Sequence, residues 1–191
     1  MHLLSNLSSL KTLNLSRNRL KGEIWREIDN LKALQNLDLS TNEFKGNFAA
    51  ICQLQELTIL RLHTNKFSGK IPPILGSSLK RLVELELYNN AFSGSIPADI
   101  GSGLKSLEKL DLSYNSLVGE IPKSIAKMKK LTRLCLNNNR LSGNIPDEIV
   151  GLKKLRELNI QKNKIKKKDV SRRILEFKEE VEGKELGSWK W

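Results

Sequence analysis

Residues 107–122 read Leu107-Glu108-Lys109-Leu110-Asp111-Leu112-Ser113-Tyr114-Asn115-Ser116-Leu117-Val118-Gly119-Glu120-Ile121-Pro122, and this stretch decides the fold. Leu110 and Leu112 flank Asp111 in alternation, so on a strand the leucines share one face and Asp111 takes the other. Asn115 follows at once, then Leu117, then Gly119 and Ile121-Pro122. Gly admits backbone conformations closed to other residues, and Pro fixes φ while removing a donor. A run of three alternating residues cannot stand alone as a strand, so its partners must come from elsewhere in the chain.

They come from copies of the same stretch. The Asn of the frame L-x-L-x-x-N recurs as Asn18, Asn42, Asn65, Asn90, Asn115, Asn139 and Asn163, at intervals of 23 to 25 residues, with Ile for the second Leu in the last copy. Seven phased copies predict a solenoid, in which stacked strands form one parallel sheet and the leucines fill a continuous interior. The repeated Asn has a physical task. Its amide carries donors and an acceptor, so a file of such side chains can satisfy the buried backbone of successive turns. Two residues later stands an apolar side chain each time, and the consecutive Phe44, Phe67 and Phe92 are expected to stack. On the return side Ile149, Leu152 and Leu155 have a spacing that suits a helical turn. In the third and fourth copies an extra residue falls in Gly76-Ser77-Ser78 and Gly101-Ser102-Gly103, read as flexible turns.

The frame LxxLxLxxNxLxGxIPxxI, carried by these residues over roughly 4–168, resembles the plant-specific class of leucine-rich repeats. That class includes ectodomains of receptor-like kinases and receptor-like proteins. The resemblance implies an α/β solenoid: a right-handed superhelix with a concave parallel sheet, convex helical turns and extra short strands beside the Gly-x-Ile-Pro segments. It also implies a peptide or protein ligand on the concave face, a co-receptor as a further partner, and an extracellular or cell-surface setting. Departures occur at Trp25, which replaces the Pro of the first copy, and at Phe48-Ala49, which replaces Ile-Pro in the second.

The domain reading is a solenoid over 1–168 and a helical cap and tail over 169–191. Asp169 is a candidate helix N-cap, Val170, Ile174, Phe177 and Val181 recur at helical spacing, and Gly183 is a natural stop, so 170–182 is expected to be an amphipathic helix. Trp189 and Trp191 either fold back on that cap or form a loose tail. At the other end, Leu4, Leu7 and Leu10 are in phase with the repeat, and no paired-cysteine cap precedes them. Met1–Asn6 lacks the basic and apolar regions of a signal peptide, and no stretch approaches the ~20 apolar residues of a membrane span. A cytoplasmic or engineered setting therefore stays open beside the extracellular one. Cys52 and Cys135 lie more than three repeats apart, too far for a disulfide.

Chemistry-bearing constellations are lacking. His2 and His63 are the only histidines, with neither a nucleophile nor metal-ligand spacing beside them, so no enzyme activity, metal or cofactor is expected. The net charge is +12, and half of the excess sits from Gly151 onward, where 13 Lys/Arg meet 7 Asp/Glu. Lys127, Lys129 and Lys130 form one basic cluster and Lys153, Lys154 and Arg156 another. Both are expected on solvated return turns and lack aromatics for base stacking, so nucleic acid is not the expected partner.

The surface left for function is the concave sheet, whose outward residues form columns. One runs Asn14, Asp38, Arg61, Glu86, Asp111, Cys135, Asn159; the next runs Ser16, Ser40, His63, Tyr88, Ser113, Asn137, Gln161. The acids Asp38, Glu86 and Asp111 are read as solvated, and Cys135 as a small exposed residue. Side chains vary most in the middle repeats, giving as ligand-binding candidates Arg61, His63, Glu84, Glu86, Tyr88, Lys109, Asp111, Tyr114 and Arg133. Two sequons, Asn6-Leu7-Ser8 and Asn14-Leu15-Ser16, mark Asn6 and Asn14 as glycosylation candidates. The leading functional expectation is a non-enzymatic peptide- or protein-binding module. A secreted inhibitor of cell-wall-degrading enzymes and an engineered or intracellular repeat scaffold are the alternatives.

Overall fold

A computed structural model describes residues 7–166, 171–182 and 188–190. The predicted alternating runs are strands of three residues, from Thr12–Asn14 through Asn36–Asp38, Ile59–Arg61, Glu84–Glu86, Lys109–Asp111 and Arg133–Cys135 to Glu157–Asn159. They pair in parallel, each with the next, and the register aligns equivalent repeat positions: Leu85 sits opposite Leu60 and Leu110, and Glu86 opposite Arg61 and Asp111. One face is therefore a wall of leucines. Leu37, Leu60, Leu85, Leu110, Leu134 and Leu158 are all fully buried, each contributing roughly 1.5–3 kcal/mol by leaving water.

Seven further short strands, from Lys21–Glu23 to Lys164–Ile165, build a second parallel sheet beside the Gly segments. The repeat glycines from Gly22 to Gly143 all take positive φ, between 72° and 104°. Between the sheets the expected aromatic stack is present: Phe44, Phe67 and Phe92 have centroids 6.2 Å apart at each step, with interplanar angles of 13° and 5°. The solenoid is thus an α/β coil with helical turns on its return side.

The asparagines stand in single file. Asn139 donates from Nδ2 to the carbonyls of Leu136 in its own turn and Leu112 in the preceding one, while its Oδ1 accepts the Leu117 amide of that preceding repeat. Equivalent bonds tie Asn42, Asn65, Asn90, Asn115 and Asn163 to their neighbours. Asn18, with no described repeat before it, bonds only within its own turn, to Leu15 and Ser16. The residue before each Asn is held at φ 53–56°, in the left-handed region, although none of the seven is glycine. For the bend at Asn138, Asn139 bonds back to the carbonyls of Leu136 and Asn137, and Asn163 of the next repeat bonds the Leu136 carbonyl and the Leu141 amide on either side, which together hold it there.

The return turns differ with repeat length. Four are five-residue 3-10 turns, such as Lys123–Lys127 and Asp147–Gly151. The two longer repeats instead make one turn of α-helix, Leu75–Ser78 and Ile100–Gly103, closed by the Leu79 amide on the Leu75 carbonyl and the Leu104 amide on the Ile100 carbonyl. The extra residue widens a 3-10 turn into an α turn, so the expectation of a flexible turn is corrected. Packing also fixes these glycines: a Cβ on Gly101 would lie 1.8 Å from the Ser124 carbonyl oxygen, and one on Gly103 1.7 Å from that of Gly76.

At the C-terminal end an α-helix spans Arg172–Glu182 and buries Ile174, Phe177 and Val181. Its expected N-cap Asp169, Val170 and the stop Gly183 lie outside the described residues, as does Trp191. Ser188–Lys190 then adds an eighth strand to the long sheet, paired with Glu157–Asn159. Of the two options for the tail, Trp189 takes the first: it is buried edge-on to Phe177, centroids 5.4 Å apart. At the N-terminal end Leu7 and Leu20 stay about 40% exposed.

Candidate functional site

The register places the candidate side chains of consecutive repeats on neighbouring strands, about 4.8 Å apart. Arg61 is the hub of the first group. Its Nε donates to Glu84 at 2.6 Å and lies 3.5 Å from Glu86, and its Nη1 is 3.9 Å from Asp38. Lys109 closes the group from the other side, 2.5 Å from Glu86 and 3.9 Å from Glu84. Beside these charges His63 and Tyr88 stack face to face, ring centroids 4.2 Å apart and 7° from parallel, with His63 Nε2 3.8 Å from Glu86.

A second group adjoins it. Arg133 forms an ion pair with Glu157, Nε 3.1 Å from the carboxylate, and its Nη2 lies 3.9 Å from Asp111. Asp111 accepts two bonds on one oxygen, from the Ser113 amide and hydroxyl. Eight of the nine sequence candidates thus fall within the two adjoining groups. Tyr114 does not. It occupies the left-handed bend beside the sheet, more than half exposed, with no ring partner among the described residues. Asp38 and Glu157 complete the two ends; the signals for them are Asp38's place in the first outward column and Glu157's register opposite Arg133.

Burial sets the electrostatics. Glu86 and Asp111 are nearly inaccessible, at 7% and 6% exposure, which corrects the reading of both as solvated. Neighbouring side chains on either strand, Arg61, Lys109 and Arg133, arch over them. Burial raises the Asp111 carboxyl above its usual range, against the Ser113 hydrogen bonds and Arg133, which pull it down. Burial lowers the His63 imidazole, outweighing nearby Glu86, and so favours its neutral form. Burial also raises the Tyr88 phenol, while the carboxylates around Arg61 raise its guanidinium, first of all Glu84.

Cys135 is buried rather than exposed, a second correction. Arg133 Nε donates to its sulfur at 3.3 Å and the thiol donates to Glu157 at 3.4 Å, so the two long side chains cover it. Burial pushes this thiol up to about 12. Cys52, unpaired in the core, is likewise raised to about 12. Among the described residues no group of three or more His, Cys, Asp or Glu is placed to hold a metal ion. No helix among them is long and apolar enough to cross a membrane. Of the sequons, Asn14 starts the outward column with its Oδ1 accepting both the amide and hydroxyl of Ser16; Asn6 lies outside the described residues.

Family models for leucine-rich repeats match residues 9–31, 55–117 and 118–165, more than half of the sequence. The chain belongs to the leucine-rich-repeat family. No curated protein matches it. Among solved structures it is similar to the plant peptide hormone receptor RGFR1 in complex with RGF2, with a TM-score of 0.82 and 35% identity over 85% of this chain. It is also similar to the Arabidopsis receptor kinase HAESA in complex with the peptide hormone IDA and the co-receptor SERK1, with a TM-score of 0.80 and 39% identity over 84% of this chain. The chain spans 26% and 27% of those two structures' own lengths. A plant ice-binding protein matches more loosely, with a TM-score of 0.63, 28% identity, and 85% and 67% of the two chains covered. The repeat class is that of plant receptor ectodomains, and the likeness to an ice-binding protein shows that this fold does not by itself choose the ligand.

Proposed function

We propose that this chain is a non-enzymatic recognition module that binds an extended peptide or a protein segment across its concave sheet. One observation carries the reading. Six neighbouring strands, from Asp38 to Glu157, present two adjoining groups of ion pairs on their outward face, with the aromatic stack of His63 and Tyr88 beside the first. A segment laid across the strands meets a new side chain at each step, and hydrogen-bonded neighbours hold these side chains in place before binding. That lowers the ordering cost of association. Aromatic and Arg side chains in such a setting are the residue types that dominate binding energy.

In this reading Tyr88 and His63 supply a flat platform. Glu84 supplies an acceptor, Arg61, Lys109 and Arg133 supply donors held in place by the buried Glu86 and Asp111 beneath them, and Tyr114 contributes from the rim. The likeness to structures described as peptide hormone receptors supports a peptide ligand, a co-receptor partner and an extracellular setting. The region 1–168 provides the recognition surface and 169–191 closes the interior.

Capture from plant extracellular fluid tests the reading. The wild-type chain should retain a defined peptide or protein, and a Tyr88→Ala, Asp111→Ala, Tyr114→Ala variant of unchanged melting temperature should lose it. Equal capture by both proteins would remove the concave surface as the site.

A further inference from the structure

The excess positive charge of this chain lies elsewhere. The concave groups hold five acids, Asp38, Glu84, Glu86, Asp111 and Glu157, against three bases. In the turns entering the last four concave repeat strands, residues 78–83, 103–108, 127–132 and 151–156, nine bases face a single acid, Glu108. The bases are in register. Lys80, Lys105, Lys129 and Lys153 each stand ten residues before a repeat Asn, and Arg81, Lys130 and Lys154 stand nine before.

Contacts between successive repeats fix these positions as neighbouring files. Arg81 Nη1 lies 2.5 Å from Glu56, its counterpart one repeat earlier. Two to three residues further on, the backbone ladder already runs at sheet spacing: the Glu108 amide donates to the Val83 carbonyl, Thr132 to Glu108 and Arg156 to Thr132, each at 2.8 Å. The seven file bases are exposed. Lys129 donates to the Gly151 carbonyl at 3.1 Å and Lys153 lies over the Phe177 ring. Lys80, Lys105, Lys130, Lys153 and Lys154 form no ion pair among the described residues.

We propose that this edge of the solenoid is a second binding surface, and that it takes a linear carboxylated polysaccharide. The edge offers one or two basic side chains per repeat at a strand-to-strand spacing of ~5 Å, which suits a polymer bearing one carboxylate on each sugar ring. No aromatic side chain stands in the two files, so the track offers nothing on which unpaired bases could stack. It also has no apolar side chains to enter a lipid surface. This surface is separate from the concave face, and neither site depends on the other.

Binding to immobilised polygalacturonate tests it. A variant with Lys105→Gln, Lys129→Gln, Lys130→Gln and Lys154→Gln should bind at least about tenfold more weakly in 0.15 M salt. A control of equal net charge, with Lys11→Gln, Arg19→Gln, Lys21→Gln and Lys45→Gln, should bind as the wild type does. Thermal melts should show both variants folded, since all eight positions are exposed. Equal losses in the two variants would mean that net charge alone is responsible, and would overturn the proposal. So would tighter binding to duplex DNA or to anionic phospholipid vesicles than to polygalacturonate.

Discussion

The imidazole of His63 and the phenol ring of Tyr88 stack on adjacent strands, 4.2 Å between centroids, with the buried carboxylate of Glu86 3.8 Å from the imidazole. The ring is flanked by a carboxylate that favours its charged form, yet burial prevails and its pKa is lowered. The unfolded chain therefore takes up this proton at higher pH than the folded one. Stability contributed by a neutral His63 is present above the unfolded value of about 6.5 and is lost as pH falls through and below it. Urea denaturation at pH 7.5 and pH 5.5 should show wild-type stability falling. His63→Gln should fall less over the same interval. An identical decline in both would assign the pH dependence to other groups.

The asparagine file makes an internally controlled prediction. Asn139 is buried and bonds to two repeats, whereas Asn18 is exposed and bonds to one. Asn139→Ala strands the Leu117 amide, leaves the Leu112 carbonyl with Asn115 Nδ2 alone, and should cost about 2 kcal/mol. Asn18→Ala should cost less than about 1 kcal/mol. Chemical denaturation of the two variants checks the ratio.

Gly103 and Gly151 occupy similar turns with different surroundings. A methyl group on Gly103 meets the Gly76 backbone carbonyl, which cannot move without its repeat, while one on Gly151 meets the flexible tip of Lys129 at 2.9 Å. Gly103→Ala should lose at least about 2 kcal/mol and Gly151→Ala less than about 1 kcal/mol. Melting curves will separate them.

Both thiols should be inert in the folded protein. Cys52 is buried in the core and Cys135 lies beneath Arg133 and Glu157, each with its pKa raised to about 12. At pH 8 the thiolate fraction is then negligible, so reaction with an aromatic disulfide reagent should wait for unfolding. Arg133→Ala should uncover Cys135 and speed its reaction, leaving Cys52 slow.

How much of this was readable in the residues divides along physical lines. Seven phased copies fixed the sheet, the buried leucines, the phenylalanine stack and the asparagine file, because each follows from repeat position alone. The outward columns brought Arg61, Glu86 and Tyr88 together, and repeat register set Glu84 and Lys109 beside them, for the same reason. Burial within the columns was not readable. Asp111 and Cys135 are covered by long neighbours, and how Arg133 bends over them depends on side-chain pairing across strands. Tyr114 was grouped with Tyr88 by composition, but the left-handed bend sets it on the rim. The α turns at Leu75–Ser78 and Ile100–Gly103 were hidden because an added residue can be absorbed by a loose loop or by a wider turn, and only packing decides between them.

The claim on which the account rests is that ligand lies across the strands at Tyr88. A peptide selected from a random display library on the wild-type chain, then titrated against Tyr88→Ala by calorimetry, measures this directly. Loss of an aromatic platform should weaken binding at least about tenfold, a hot-spot loss of about 1.4 kcal/mol or more, while the Lys105→Gln, Lys129→Gln, Lys130→Gln, Lys154→Gln variant binds as before. Unchanged affinity in Tyr88→Ala would contradict the account.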